Sequence, residues 1–327
     1  MHTSLLARRG LLFGAGALIS ADLISGGLAA CGRAQTTAPL RLATYRGNAD
    51  GFFAEAGAPD PPGFSRAQFA SGVQIAEAIN ARAIDVGGMS EIPPIFLAGA
   101  PSNLVRLVAV LQGDVNNQVV LTPKGSTIRT IADLKGKTVG YVRATTSHYI
   151  LLRLLKEAGL GWGDIKPAAL SPQDGLAAFQ RGGLDAWVIY GVIVQQARAA
   201  GAQVLTTGLN RLSGNYVIAT SSEALADPAR LRAVGDYLRR YRKVLDWINA
   251  DDERWAKARA AVTGVPVEYY RQEAKERSAR PALLPVSAAA IASQQAVADA
   301  FTEAGVLSRK VDVSPLWDTR LNPALKA

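Results

Sequence analysis

From Leu40 onward, short apolar runs alternate with amphipathic stretches, the pattern of α/β layers packed around parallel strands. Runs of strand length fall near 40–45, 64–70, 84–88, 103–111 and 118–122, and a second series falls near 138–142, 165–170, 186–190, 203–206 and 215–219. Helix signals lie between them. Ser171, Pro172 and Asp174 read as an N-cap, a first-turn proline and an acidic third position, while Gly159 and Gly182 stand where helices stop. Beyond Ser222 the period is helical throughout, with Leu231, Val234, Leu238, Tyr241, Leu245 and Ile248 on one face. The turn chemistry of Thr122, Pro123, Lys124, Gly125 and Ser126 separates the two series. It predicts one lobe from 31–121, a second over 122–214, and a return to the first over 215–327. Lobes joined by two extended crossings can close on a ligand like a hinge.

Composition narrows the class. A chain of 327 residues, 49% hydrophobic and 19% charged, can bury two cores and is neither fibrous nor wholly disordered. One cysteine and two histidines leave no internal disulfide framework and argue against a Cys/His zinc site, while carboxylate sites for metals stay open; the full reading of the chain implies no metal or organic cofactor. The net charge of +9 is spread thinly, and denser groups such as Arg239, Arg240, Arg242 and Lys243 alternate with apolar residues at helical spacing. That is a solvated helix face rather than a phosphate-tracking stripe, and no nucleic-acid partner is expected.

The first thirty residues predict export. Arg8 and Arg9 precede an apolar stretch over 11–21, too short for a comfortable membrane span of about 20 residues. The segment reads as a signal peptide over 1–30. Its end, Leu28, Ala29, Ala30, Cys31, resembles the bacterial lipobox, which implies lipidation of Cys31; cleavage after Ala34 is the other reading. Arg8 and Arg9 also resemble a twin-arginine export signal, loosely.

Three segments point to a family. Asp85, Val86, Gly87, Gly88, Met89, Ser90, Glu91, Ile92, Pro93, Pro94, Ile95, Phe96 resembles D-[LIV]-G-x-x-G-D-x-P-P-[IL] of the periplasmic aliphatic sulfonate-binding proteins of ABC importers. Thr145, Thr146, Ser147, His148, followed by Leu151, Leu152 and Arg153, resembles that family's S-S-S-H-x-x-L-L-R helix opening. Ala177, Ala178, Phe179, Gln180, Arg181, Gly182, Gly183, Leu184, Asp185, Ala186, Trp187 resembles its A-A-F-x-x-G-x-[IVL]-D-A-W. The resemblance implies a type II periplasmic-binding-protein-like α/β fold, two lobes joined by two crossover strands with a helical C-terminal tail.

The residues carry their own chemistry. Ser90 lies between a predicted strand and a helix, and Thr145, Thr146 and Ser147 repeat that arrangement in the second lobe. One helix N-terminus per lobe would then face a shared cleft, an anion site in waiting, with plain N-capping as the other reading. Arg143, just before the second opening, and Arg46, at the end of the first strand, are the candidate cations. His148 has no second histidine once the leader is removed and no thiol once Cys31 is lipidated. It reads as a first-turn helix residue able to donate to an oxyanion. Tyr45, Met89 and Tyr190 supply apolar surface for a ligand tail, and Glu91 is a possible counter-charge for an amino group. Trp247, Trp255, Tyr269 and Tyr270 in the helical tail read as packing.

Two departures from the family pattern stand out. Tyr190, Gly191 and Val192 occupy the place of Trp-Asp-Pro, and Pro59, Asp60, Pro61, Pro62 and Gly63 replace most of a helix. The first implies a wider tail pocket, the second a cleft wall made of loop. The resemblance implies a monomeric, lipid-anchored periplasmic binding protein that captures a small organic sulfonate for an inner-membrane ABC permease, in the service of sulfur metabolism. Taurine, nitrate or a pyrimidine thiamine precursor are the alternative ligands, and an enzyme on the same scaffold is the alternative class.

Overall fold

The computed structural model describes residues 38–326. The leader, with Arg8, Arg9 and Cys31, therefore lies outside the described residues. Two mixed sheets organise the rest. The first is built from β1 (Arg41–Thr44), β2 (Ser65–Gln68), β3 (Val86–Ser90) and β4 (Val105–Gln112), with α1 (Gly72–Asn80) between β2 and β3. The chain then crosses to the second sheet with β5 (Gln118–Thr122), β6 (Thr138–Tyr141), α2 (Thr146–Glu157), β7 (Lys166–Ala169), α3 (Pro172–Gln180), β8 (Ala186–Tyr190), α4 (Ile193–Ala199) and β9 (Gln203–Thr207). It returns with β10 (Asn215–Ser221), and α5 (Ser222–Ala226), α6 (Pro228–Ala250), α7 (Asp252–Thr263), α8 (Val267–Glu276), β11 (Ala282–Leu284) and α9 (Ala288–Glu303) follow.

The strand orders are β2-β1-β3-β10-β4-β11 and β7-β6-β8-β5-β9. Apart from the edge strand β11, each sheet repeats one plan: three parallel strands, then an antiparallel strand lent by the other half of the chain, then a last strand. β5 is the strand lent to the second sheet. The first crossing is therefore 113–117, ahead of Gln118, and not the passage at Thr122 that the turn residues predicted. That passage is a turn within the second half, closed by the Ser126 amide on the Pro123 carbonyl at 3.1 Å. β11 also departs from the purely helical tail the pattern predicted: three residues pair antiparallel with β4, and a run so short has no readable period.

The two crossings, 113–117 and 208–214, lie side by side, the Gly113 amide donating to the Gly214 carbonyl at 2.9 Å. Gly214 has φ +74°, and a β-carbon there would sit 2.9 Å from the Gly113 carbonyl oxygen, so only glycine permits this approach. The motif aspartates do matching work in the two halves. Asp85, just before β3, accepts the Arg41 amide at 2.8 Å, and Asp185, just before β8, accepts the Thr138 amide at 2.7 Å. Each carboxylate pins the start of the neighbouring parallel strand. Arg41 adds a two-pronged bond to Asp85 and, with Arg230, holds its carboxyl below the usual carboxylate range against the opposing effect of burial.

The predicted stripe on α6 covers the first sheet: Val234, Leu238, Tyr241, Leu245 and Ile248 are all buried there with Leu42, Val86 and Ile218. Trp247 and Trp255 pack on Phe52, as the tail aromatics were expected to pack. Residues 53–63 form turns and coil, so this stretch is indeed not a helix. Among the described residues no helix is long and apolar enough to cross a membrane.

Candidate functional site

The parallel strands of both sheets end toward a common cavity of about 540 Å³. Its walls are the start of α1 and the 93–97 turn from the first half, and residues 142–145 and 169–173 from the second. This is the crevice beyond the carboxyl ends of the strands where open α/β sheets take ligands. Val73, Pro93, Phe96, Leu97, Val142 and Leu170 make the lining largely apolar. Gly72 allows the close packing at its floor. A β-carbon there would come within 2.9 Å of Met89 Cβ and 3.2 Å of the Tyr45 hydroxyl.

Three helices begin at this cavity, and they end their backbones differently. Ser71 caps α1, accepting the Gln74 amide at 3.3 Å, and Ser171 caps α3, accepting the Asp174 amide at 3.2 Å. Thr145, at the same position of α2, provides no cap. Its hydroxyl turns back and donates to the Val142 carbonyl at 2.7 Å. The positive end of α2 is left open toward the cavity. Ala144, immediately before it, has φ +56°, a left-handed conformation that costs a non-glycine residue roughly 1–2 kcal/mol. The strained turn leaves Arg143 exposed at the cavity wall, with no ion pair among the described residues. An open helix terminus and an unpaired guanidinium beside an apolar cavity suit an organic anion.

The three consecutive hydroxyls do not meet the ligand space as the sequence suggested. Thr145 is committed to Val142. Ser147 is 1% exposed; it donates to the Val188 carbonyl at 2.6 Å and accepts the Val142 amide at 3.1 Å, tying α2 to β6 and β8. Thr146 donates to Gln118 Oε1 at 2.6 Å. Each hydroxyl proton is given to a protein acceptor, so the backbone N–H groups of the first turn are the donors already free for a ligand, and a hydroxyl serves one only by giving up its present bond.

His148 faces away from the cavity. It is 2% exposed, and its ring is surrounded by Tyr141, Trp162 and Phe301 at centroid distances of 4.8, 5.2 and 5.1 Å. Nδ1 accepts the Ala144 amide at 3.4 Å, and buried Nε2 has no partner among the described residues. Burial, with Arg143 nearby, depresses its pKa to about 4, so the ring is neutral; its one N–H, on Nε2, is enclosed among the aromatic rings and does not reach an oxyanion in the cleft. Arg46, the other candidate cation, is not among the residues lining the cavity: its Nε donates to the Val262 carbonyl at 2.8 Å, at the end of α7.

Among the remaining candidates, Ser90 ends β3 opposite Tyr216, partly buried. Met89 is 3% exposed within the core beneath it. Tyr45 directly follows β1 and Tyr190 ends β8, one from each half, near enough to interact. Burial raises both hydroxyl pKa values, and Tyr190 raises that of Tyr45 further. Glu91 points to the return crossing rather than the cavity. It accepts Ser213 Oγ at 2.7 Å and Ser293 Oγ at 3.5 Å, and burial pushes its pKa up to about 7 against the pull of those hydroxyls. Gln118 and Tyr216 went unread in the sequence. The one available signal was a glutamine opening the otherwise apolar run Val119, Val120, Leu121.

The paired sheets, with their exchanged antiparallel strands and a cleft between them, define the periplasmic-binding-protein-like class of two-lobed α/β receptor folds. The chain belongs to the family described as NMT1/THI5 like, which it matches over residues 42–248. It is 34% identical over 249 residues to an Escherichia coli (strain K12) protein described as aliphatic sulfonates-binding, covering 75% of this chain and 76% of that one. The alkanesulfonate-binding protein of Xanthomonas axonopodis pv. citri bound to MOPS superposes with a TM-score of 0.77 at 28% identity, covering 86% of this chain and 98% of the other. The periplasmic aliphatic sulphonate-binding protein of Escherichia coli gives 0.72 at 29% identity, covering 84% and 90%.

Proposed function

We propose that this chain is an extracytoplasmic solute-binding protein that captures an organic sulfonate in the cavity and passes it unchanged to a membrane ABC permease. The observation that carries the reading is the uncapped start of α2 beside Arg143, which has no ion pair among the described residues, facing a largely apolar cavity. A sulfonate fits that arrangement because it joins a compact, permanently charged oxyanion to an apolar tail. The names of the relatives support the same ligand class.

The cavity volume and lining favour a tail larger than two carbons. Benzenesulfonate is therefore expected to bind more tightly than ethanesulfonate. Taurine should bind less well than either, since its ammonium would lose hydration against Phe96, Leu97 and Leu170. With Glu91 turned away, Glu77 is the one lining carboxylate among the described residues that could serve a taurine ammonium. Titration calorimetry of the three compounds against one preparation tests the order, and taurine binding tightest would reverse it. A ligand that binds only the folded state stabilises it by about 2.7 kcal/mol at a hundred times its Kd, so a thermal-shift screen including nitrate and pyrimidines checks the other ligands. Recovery of chemically unaltered ligand after prolonged incubation separates receptor from enzyme. Lipidation at Cys31 belongs to the same proposal. Mass spectrometry of the membrane fraction should find a diacylated mature N-terminus at Cys31, and an unmodified chain beginning at Gln35 would rule it out.

A further inference from the structure

A line of side-chain hydrogen bonds runs from the open helix terminus to the hinge. Thr146, heading α2, donates to Gln118 Oε1 at 2.6 Å; Gln118 Nε2 donates to the Tyr216 hydroxyl at 2.9 Å; Tyr216 donates onward to the Asp114 carbonyl at 3.3 Å. Gln118 is 3% exposed and is the first residue of β5, directly after the 113–117 crossing. Tyr216 is the second residue of β10, directly after the 208–214 crossing, and it belongs to the other sheet. The Gln118–Tyr216 bond thus joins the two sheets beside both main-chain crossings. The backbone reinforces its position, since the Gly208 amide, in the return crossing, donates to the Gln118 carbonyl at 2.7 Å.

We infer that Gln118 is a positioning residue that couples occupancy of the cleft to the angle between the lobes. The physical basis is a competition. The Thr146 hydroxyl has one proton, which can go to Gln118 or to a ligand oxygen at the start of α2, but not to both. Losing it loosens one end of a buried amide whose other end holds Tyr216, and leaving either buried group unpaired is costly. Rotation of one lobe on the other must keep or break the same bond, so the ligand and the hinge bias one two-state element. The lining reaches α2 at Thr145, the residue before Thr146, and Tyr216 lies outside it, so an influence of Tyr216 on affinity would have to travel through Gln118.

This inference rests on the binding reading above, and a mutant cycle separates the two. Calorimetry with benzenesulfonate and hexanesulfonate compares the parent, Thr146→Val, Tyr216→Phe and the double variant, each alone and with Gln118→Leu. Thr146→Val is expected to weaken binding about 3- to 10-fold and Tyr216→Phe about 2- to 5-fold, with the double variant well short of the product. With Gln118→Leu present, Thr146→Val and Tyr216→Phe should become independent, their effects multiplying. Thr146→Ser, which keeps the hydroxyl, should restore the parent coupling. Full multiplication of the two effects in the parent, or parent-like binding by Tyr216→Phe, would overturn the proposal.

Should the parent bind neither sulfonate, the ligand reading falls and the relay is judged alone. The same cycle is then read in ligand-free melting temperatures, where shifts that do not add support it and additive shifts sink it. Tyr216→Phe deletes a single oxygen, so the cycle retains a folded member if Gln118→Leu does not fold.

Discussion

Two helices open on the same cavity with opposite arrangements. α3 begins Ser171, Pro172, Gln173, Asp174 and completes itself: the serine caps, the proline presets the first turn, and Asp174 places a carboxylate at the positive end. α2 begins Thr145, Thr146, Ser147, His148, which reads as richer in capping groups but caps nothing. Its hydroxyls are drawn off to Val142, Gln118 and Val188, and at the position equivalent to Asp174 it has His148 turned into an aromatic cluster. A self-sufficient helix start has little left to offer a ligand. A start whose polar side chains are spent on neighbouring strands is rigidly held and still electrostatically open.

The comparison can be broken at four points. The largest effect should come from Arg143→Gln, which removes the unpaired charge beside the open terminus. Affinity for benzenesulfonate should fall by about 1.5–3 kcal/mol with little change in Tm, whereas a large fall in Tm would mean the residue is structural. Ser147→Ala should do the reverse. It leaves a buried carbonyl and a buried amide without their partner, so urea denaturation should show a loss of about 1–3 kcal/mol.

The third point is pH. His148 has a folded pKa near 4, below the ordinary value of about 6.5, so the fold favours the neutral ring. Its contribution is present above about pH 6.5 and is lost as pH falls toward 4, because the unfolded chain takes up the proton first. Glu91, with its pKa raised to about 7, works the other way over this range, so the His148 share is read as a difference: from pH 7 to 4 the His148→Phe variant should lose less stability, or gain more, than the parent. An unchanged slope would show the ring to be exposed to solvent. Ser171→Ala is the smallest change and the control: it should cost about 1 kcal/mol of stability, as a lost cap does, and leave sulfonate affinity within a factor of two. A large affinity loss there would move the ligand toward α3.

Local signals were reliable wherever their cause was local. The cap at Ser171, the stops at Gly159 and Gly182, and the buried stripe of α6 each depend on a few residues of sequence, and each is found in the structure. Asp85 and Asp185 were legible as parts of motifs but not as strand pins, because their partners are the Arg41 and Thr138 amides, more than forty residues away in sequence.

By itself the sequence determined the alternation that makes two α/β layers, the helix starts and stops, and the presence of Arg143 beside a polar helix opening. Only the tertiary structure decided that β5 is lent to the second sheet, that Arg46 is held at Val262, that Glu91 serves the return crossing, and that His148 is enclosed. It also decided that Thr146 reaches the hinge through Gln118. The reason is the same in every case. A hydroxyl or amide finds the same quality of hydrogen bond with many partners, so composition cannot choose among them, and the choice is made by whichever backbone group packing brings within about 3 Å.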